Sequence, residues 1–344
     1  MAPFLFSILI YFLQMELIRF GNTKLKVSKI GLGLAALGRP GYINLGHGVD
    51  LKSNYEMTAM QLKTLQMLDL AYANDIRYFD AARSYGKAEL FLSEWMKSKD
   101  KEERFTVGSK WGYTYTADWA VEAEKHEVKE HSIEVLNRQW KESKALLGER
   151  LNIYQIHSAT LESGVLENID VLKKLWELRT LGMVIGLTLS GDNQTETLQK
   201  ALTVKSGDDF LFQSVQVTWN ILERSTTDVL MSASQSGIGI IIKEALANGR
   251  LTSRNNEAAF FNKKQQLQVI SKKYNAGIDA ISIAYILRQP WVSTVLSGAT
   301  TQEQLESNLK ALKVELNENE LNIINSMVEP PKKYWGTRSE LAWN

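Results

Sequence analysis

The stretch that decides the fold is residues 151–189, LNIYQIHSATLESGVLENIDVLKKLWELRTLGMVIGLTL. It begins with an apolar run at 151–157 and ends with a second one at 184–189, and residues 169–181 between them have apolar side chains at helical spacing. Short apolar runs separated by an amphipathic helix are typical of a parallel sheet that is buried on both faces. The stretch therefore predicts a strand–helix–strand unit.

The same alternation recurs along the chain. Strands are predicted at residues 29–34, 76–80, 105–110, 151–157, 184–189, 212–217, 238–242 and 292–296. Helices are predicted at 57–73, 86–98, 127–147, 169–181, 195–204, 228–236, 264–275, 279–289, 302–312 and 318–328. Eight units in about 300 residues favour an α/β protein, a single-domain (β/α)8 TIM barrel over 15–330 with a tail at 331–344. A doubly wound sheet is the alternative, but it favours a GxGxxG turn after the first strand, where residues 31–36 read GLGLAA.

The composition excludes several classes of chemistry. The 344 residues include 40 basic and 39 acidic side chains, so a net charge of +1 gives no general attraction to nucleic acid. Because the chain has no cysteine, disulfides, thiolate nucleophiles, zinc–thiolate sites and iron–sulfur clusters are excluded. With only four histidines, we expect no metal site. The expected partner is a small molecule, and the oligomeric state is left open.

Residues 1–14 differ from the rest of the chain because they carry no charged side chain. The apolar run at 2–13 is shorter than the span of about 20 residues that crosses a bilayer. It lacks the basic start of a secretory signal and the arginines of a transit peptide. We expect this segment to be a non-native extension or an upstream start, with a weak membrane anchor as the alternative. We accordingly expect a cytoplasmic protein without an integral membrane span.

Polar side chains close successive predicted strands. Asp80, Lys110 and His157 end the second, third and fourth strands, and Tyr85 follows five residues after Asp80. In a barrel the carboxyl ends of the strands form the active-site face, so these side chains should meet at one mouth. Taken singly, each has an ordinary structural role, such as a helix cap or a solvated charge. Together they form an acid–base set.

The four groups suit proton transfer to an oxygen atom. A tyrosine with a pKa of about 10 is a weak acid at neutral pH, and a nearby ammonium group lowers that pKa. A carboxylate beside the lysine keeps the lysine charged, and an imidazole can donate a hydrogen bond that orients a carbonyl. No side chain supplies a hydride, so a nicotinamide or flavin would have to do so.

Five segments resemble motifs of the aldo-keto reductases, and the resemblance runs from residue 15 to about residue 312. Residues 79–89, FDAARSYGKAE, are similar to the family signature F-D-T-A-x-x-Y-G-x-S-E. Residues 109–112 (SKWG) and 154–157 (YQIH) resemble the lysine and histidine motifs. Residues 216–224 (QVTWNILER) and 296–308 (LSGATTQEQLESN) resemble the Q-x-x-Y-N-L-x-x-R segment and the C-terminal cofactor segment.

The resemblance implies an NAD(P)H-dependent oxidoreductase that interconverts aldehydes, ketones or sugar lactols and alcohols. Tyr85 would be the general acid or base, Lys110 would tune it, Asp80 would pair with Lys110, and His157 would position the carbonyl. The implied cofactor contacts are Thr188, Gln216, Lys243, Leu246, Gly298, Thr300, Gln304 and Asn308. Trp111 and Trp219 would line the substrate pocket, or alternatively would pack at the barrel mouth.

Three departures from the family pattern concern the cofactor. Thr188-Leu189 replaces the frequent Ser-Asn, and Lys243 stands where an aromatic residue usually stacks on the nicotinamide. Positions 298 and 304 are Gly and Gln, where NADPH-selective members often have a basic pair, and an arginine fork is the usual phosphate ligand. We expect NADPH on balance, with NADH or dual use left open.

Two hypotheses about function follow. The first is a working reductase, since all four catalytic positions are filled. The second is a cofactor-binding redox sensor or regulatory subunit resembling the potassium-channel β subunits, favoured by Lys243 and the apolar N-terminus. The long loop at 39–54 is expected either to cover the site or to lie on the surface, and the tail at 334–343 either to fold over the mouth or to mediate contacts.

Overall fold

The computed structural model describes residues 15–100 and 102–344. The prediction for residues 1–14 lies outside this described part. Eight parallel strands form a closed barrel in which each strand pairs with its neighbours in chain order. They are β1 Ile30–Gly33, β2 Tyr78–Asp80, β3 Thr106–Trp111, β4 Leu151–Ala159, β5 Val184–Leu189, β6 Ser214–Thr218, β7 Gly239–Lys243 and β8 Thr294–Ser297. Strand β8 closes the barrel on β1, with Val295 opposite Ile30. The predicted single-domain (β/α)8 barrel is therefore confirmed.

Helices surround the barrel and follow its strands. They are α1 His47–Asp50, α2 Met57–Ala73, α3 Ala88–Lys97, α4 Ile133–Leu147, α5 Ile169–Thr180, α6 Gln194–Ala201, α7 Thr227–Gln235, α8 Phe261–Lys273, α9 Ile278–Leu287, α10 Gln302–Leu309, α11 Glu318–Asn325 and α12 Pro331–Ser339. Single 3-10 turns occur at Gly148–Arg150, Leu161–Ser163, Ala247–Gly249, Ala258–Phe260 and Lys310–Lys313. Within the described residues, no helix has both the length and the apolar character needed to cross a membrane.

The helix predicted at 127–147 is wrong at its start. Helix α4 begins at Ile133, where the Ser132 hydroxyl accepts a hydrogen bond from the Val135 amide at 3.3 Å. The residues before this cap, Glu127–Lys129, instead pair antiparallel with Tyr113–Tyr115 as a short hairpin. A serine N-cap ends the helix at that point because its side chain satisfies an amide that lacks an intrahelical partner.

A second hairpin closes the end of the barrel at which the strands begin. Its strands are Leu17–Arg19 and Lys26–Ser28. Phe20 lies between them, fully buried, and its ring would meet a Cβ placed on Gly239 at the start of β7. Gly21 has a φ of +54°, and a Cβ there would lie 2.4 Å from the Gly237 carbonyl oxygen. The turn therefore requires glycine, both for its backbone conformation and for the close approach.

The opposite end of the barrel is covered by the long loop at 39–54 and by the C-terminal tail. The backbone of Asn344 pairs with that of Tyr42 through two hydrogen bonds of 3.2 Å. Trp343 stacks on His126 with ring centroids 3.8 Å apart. The structure thus places both segments over the barrel mouth, and the tail includes a helix, α12, that the sequence patterns do not predict.

Candidate active site

A buried ion pair lies at the carboxyl ends of β2 and β3. Lys110 Nζ donates to Asp80 Oδ2 and, at 2.9 Å, to the Ala81 carbonyl oxygen. The other carboxylate oxygen, Asp80 Oδ1, accepts from the Tyr78 hydroxyl at 3.0 Å and from Gln216 Nε2 at 2.9 Å. Buried charges are tolerated when they are paired and fully hydrogen-bonded. This network therefore fixes the lysine in one position beneath the cavity.

Tyr85 lies over this pair. Lys110 Nζ is 4.6 Å from the centroid of the Tyr85 ring, and the Arg39 guanidinium carbon is 5.3 Å from it. Burial and the charge of Asp80 raise the pKa of Tyr85 well above its ordinary value, against the opposing effect of Arg39. The sequence-based expectation was a lowered pKa. The difference arises first because burial of the phenol disfavours its charged form, and second because the charge of Asp80 acts in the same direction, so the phenol holds its proton.

His157 stands edge-on to Tyr85, with ring centroids 5.5 Å apart. Its Nδ1 lies 3.3 Å from the Ser84 hydroxyl. Burial, together with Lys110, Lys243 and Arg39, lowers the pKa of His157 well below its ordinary value. The imidazole is therefore neutral near pH 7 and can donate one hydrogen bond. The next residue, Ser158, has a φ of +51°, a strained conformation of the kind that clusters at functional sites.

These groups open into one cavity of about 250 Å³, here called the proximal cavity. The predicted site residues that line it are Asp80, Tyr85, His157, Gln216, Lys243 and Gly298. Lys110 lies immediately below it. The structure thus brings together the four predicted catalytic residues, which come from β2 and the segment after it, from β3 and from β4.

Two predicted substrate residues and one predicted cofactor residue on the strands lie away from the wall of the proximal cavity. Trp219 is buried against Tyr285 and Trp291, with ring centroids 5.7 and 5.1 Å away. Trp111 is fully buried and packs near His131. The Thr188 hydroxyl accepts a hydrogen bond from the Ser158 amide at 2.7 Å, which ties β5 to the end of β4. Both tryptophan rings are therefore buried in the hydrophobic core, and neither lines the proximal cavity.

Charged side chains from the end of β7, from the residue after it and from α12 form one wall of the proximal cavity. Glu244 receives hydrogen bonds from Arg338 NH2 at 2.7 Å and from the Thr218 hydroxyl at 3.1 Å. Lys243 Nζ donates to the same Thr218 hydroxyl at 2.8 Å. Burial alone would raise the pKa of Glu244, but Arg338 and Lys243 bring it down to about 2. Burial lowers the pKa of Lys243 to about 8, with Arg338 and Lys110 adding to the effect.

A second cavity of about 310 Å³, here called the distal cavity, adjoins the first. The two share Tyr42, Glu244, Leu296 and Gly298 in their walls. The predicted cofactor residues that line the distal cavity are Leu246, Gly298, Gln304 and Asn308. Thr300 lies behind them, where its amide donates to Gln304 Oε1 at 2.9 Å.

The two adjoining cavities fit an elongated dinucleotide. A Cβ built on Gly298 would meet no atom within 4 Å, so the backbone at this shared position borders open space. The proximal cavity contains Tyr85 and His157, and the neighbouring distal cavity contains the amides of Gln304 and Asn308. A nicotinamide in the first and an adenosine in the second would use both cavities.

Several wall residues are not predicted from the sequence. Arg39 and Tyr42 come from the long loop, and Arg338 and Trp343 come from the tail. Arg39 is buried and ion-paired to Glu127 at 2.9 Å, and its guanidinium lies 4.8 Å from the Trp343 ring centroid. Covering the site was one of two alternatives for both the loop at 39–54 and the tail at 334–343, but no sequence pattern singled out these four residues.

The fold and the site define a class of protein. A barrel that collects a lysine–aspartate pair, a tyrosine and a histidine at the carboxyl ends of its strands is a scaffold for polar chemistry on a small molecule. A model of the Aldo/keto reductase family matches residues 29–329, so the chain belongs to the aldo/keto reductase family.

Particular relatives are distant in sequence. Protein tas of Escherichia coli (strain K12) is 23% identical over 358 residues, which cover 91% of this chain and 97% of that protein. The NADH-specific methylglyoxal reductase of the same organism is 22% identical, covering 92% of this chain and 99% of that protein. The holo form of the aldo-keto reductase AKR11C1 from Bacillus halodurans gives a TM-score of 0.68 at 18% identity, covering 92% and 97% of the two chains. A likeness at this identity shows the fold.

Proposed function

We propose that the protein is a nicotinamide-dependent reductase of aldehydes, ketones or sugar lactols in which Tyr85 is the proton donor. The observation that carries the proposal is the stack of Asp80, Lys110 and Tyr85 beside a neutral His157, all at one cavity. Family membership supports an oxidoreductase, and one relative is named as an NADH-specific reductase.

A nicotinamide dinucleotide, when bound, supplies the hydride that no side chain can provide. Gln216 and Lys243 would hold it in the proximal cavity, and Leu246, Gly298, Gln304 and Asn308 would hold it in the distal cavity. Thr188 and Thr300 would act from behind this wall, through the contacts with Ser158 and Gln304.

The chain's own residues account for the proton. His157, neutral and edge-on to Tyr85, donates a hydrogen bond that orients the substrate carbonyl toward the phenol. Tyr85 Oη gives its proton to the carbonyl oxygen, which becomes the alcohol oxygen. Lys110 then stabilises the phenolate, and Asp80 holds Lys110 in place while solvent returns the proton. The raised pKa of Tyr85 keeps the proton on the phenol until the carbonyl oxygen gains negative charge.

The regulatory alternative rests on the placement of Lys243. Its amine is hydrogen-bonded to Thr218 on the cavity wall, at the position where the family usually has a ring to stack on the nicotinamide. A site that binds the dinucleotide without an aromatic partner would suit a sensor in which occupancy, rather than turnover, is the signal.

A steady-state assay separates the two functions. The full chain is assayed with NADH and NADPH against aldehydes, ketones and sugar lactols, and a working reductase should reach about 1–10 per second with at least one substrate. Turnover below about 0.01 per second with every substrate, together with measurable dinucleotide binding, would favour the sensor. Failure to bind either dinucleotide would exclude both functions.

A further inference from the structure

The distal cavity has an acidic lining. Among the described residues that line it, Arg254 is the one cationic side chain, whereas Glu244, Asp279 and Glu303 contribute carboxylates. Glu244 is compensated by Arg338 from the side of the proximal cavity. The other two carboxylates, Asp279 and Glu303, line the same cavity as the side-chain amides of Gln304 and Asn308. This is the cavity that an adenosine would occupy.

Arg254 forms an ion pair with the carboxylate of Asp50. Its NH1 donates to Asp50 Oδ2 at 2.7 Å, and its NH2 donates to Asp50 Oδ1. Asp50 Oδ2 also accepts from Gln304 Nε2 at 2.7 Å. Asp50 is only 6% exposed and comes from helix α1 in the long loop, which holds it against the distal wall. Both terminal guanidinium nitrogens of Arg254, which could otherwise bind a phosphate through two hydrogen bonds, are thus paired with the carboxylate of Asp50.

Two lysines approach this cluster from outside the cavity. Lys63 Nζ donates to the backbone carbonyl of Asp50. The charges of Lys52 and Lys63 help to lower the pKa of Glu303, after the hydrogen bonds of its own backbone and of Thr301. Neither lysine is among the residues that line the distal cavity. They balance Asp50 and Glu303 from the solvent side and offer no direct ligand within the cavity.

We infer that the distal cavity selects a dinucleotide with a free ribose 2′-hydroxyl, NADH, over one with a 2′-phosphate, NADPH. A phosphate monoester carries a charge of about −1.5 to −2 at neutral pH and needs a free cationic fork. Here the charge of the Arg254 guanidinium is neutralised by Asp50, and the carboxylates of Glu303 and Asp279 would repel the 2′-phosphate. A ribose hydroxyl can instead donate a hydrogen bond to a carboxylate. This inference rests on the proposed function, and it runs against the sequence-based expectation of NADPH.

Equilibrium binding tests the selection without any substrate. The dissociation constants of NADH and NADPH are measured on the full chain by isothermal titration calorimetry at fixed ionic strength. We expect NADH to bind at least about tenfold more tightly, because one neutralised arginine cannot offset the phosphate charge. Adenosine 5′-monophosphate and adenosine 2′,5′-bisphosphate, which lack the nicotinamide, should show the same order.

Two variants then test the residues. Asp50→Asn releases Arg254 and should tighten NADPH binding by about fivefold or more relative to NADH binding, because only NADPH carries the additional 2′-phosphate charge. Glu303→Gln, on the exposed rim, should also tighten NADPH binding relative to NADH binding. Because Glu303 is exposed, this variant leaves the buried pair of Asp50 and Arg254 intact. Asp209→Asn removes the same charge from an exposed pair with Arg179 and serves as the matched control, with no change in either constant.

The outcomes are distinct. NADPH binding as tightly as NADH in the unmodified protein would overturn the inference and leave the proposed reductase intact. An unchanged NADH/NADPH ratio in both Asp50→Asn and Glu303→Gln would overturn the assignment of these residues. Binding of neither dinucleotide would overturn the proposed function, and this inference with it.

Discussion

At the scale of single residues, the ion pairing of each buried charged side chain determines whether it acts as a free charge in the site. Lys110 and Asp80 neutralise each other, so the cation beneath Tyr85 acts locally on the ring rather than as a free charge. Lys243 has no such exclusive partner, because Glu244 is shared with Arg338. Because burial lowers the pKa of Lys243 to about 8, with Arg338 and Lys110 adding to the effect, the charge of its amine changes near physiological pH.

This difference predicts a pH dependence of dinucleotide binding. Because the pKa of Lys243 is lowered to about 8, the amine is charged below that pH and neutral above it. The anionic dinucleotide should therefore bind more weakly as the pH rises through about 8, by roughly threefold to tenfold for the loss of one nearby charge. Titrations of binding from pH 6.5 to 9.5 measure this change. Lys243→Met should give a flat profile, and a flat profile in the unmodified protein would contradict the assignment.

At the scale of elements, the strands are predictable because parallel strands buried on both faces are nearly continuous apolar runs. All eight predicted strands lie within two residues of the observed ones. The helix prediction at 127–147 failed because charged residues at 127–129 fit a helix as well as an exposed hairpin. The Ser132 cap was the available signal for the true start.

The tail forms a wall that the strand pattern alone does not predict. Trp343 stacks on His126 and lies against the Arg39 guanidinium, so its ring fixes the outer wall of the proximal cavity. Trp343→Ala should raise the KM of the best carbonyl substrate by about tenfold, because truncating a packed aromatic at a binding site costs roughly 1–2 kcal/mol. Steady-state kinetics measure it, with Trp176→Ala on helix α5 as the control. Equal KM values for the two variants would show that the tail does not contribute to substrate binding.

At the scale of the whole molecule, the barrel is closed at both ends. The hairpin of Leu17–Arg19 and Lys26–Ser28 covers the end where the strands begin, and the loop at 39–54 joins the tail at the other. The hairpin that stabilises the barrel and the candidate active site therefore lie at opposite ends of the barrel.

The closure by the hairpin can be measured as stability. Phe20 is fully buried with Val27, Tyr78, Ile153 and Ile241. Phe20→Ala should therefore lower the free energy of unfolding by about 3–5 kcal/mol, as for other large-to-small core changes. Urea unfolding measures the loss, and kcat per folded molecule should stay unchanged. Val49→Ala, at an exposed position, is the control, and a loss no larger than that of the control would show that the hairpin is not part of the core.

The candidate site is predictable only in part for a physical reason. The carboxyl ends of neighbouring parallel strands must meet, so Asp80, Lys110 and His157 could be grouped from the strand pattern. Arg39 and Arg338 come from a loop and a tail whose positions depend on long-range contacts, such as the pairing of Tyr42 with Asn344. Such contacts leave no periodic signal in the sequence.

The most direct test of the central claim, that Tyr85 supplies the proton for carbonyl reduction, is the comparison of Tyr85→Phe with the unmodified protein. The change removes one hydroxyl and keeps the ring over Lys110. We predict that kcat falls by about 100-fold to 10,000-fold, the usual contribution of a general acid, while the dinucleotide dissociation constant changes by less than about threefold. Tyr72→Phe, which removes a hydroxyl beside Trp95 on the outer helical layer, should leave both unchanged. Substantial turnover by Tyr85→Phe would contradict the account.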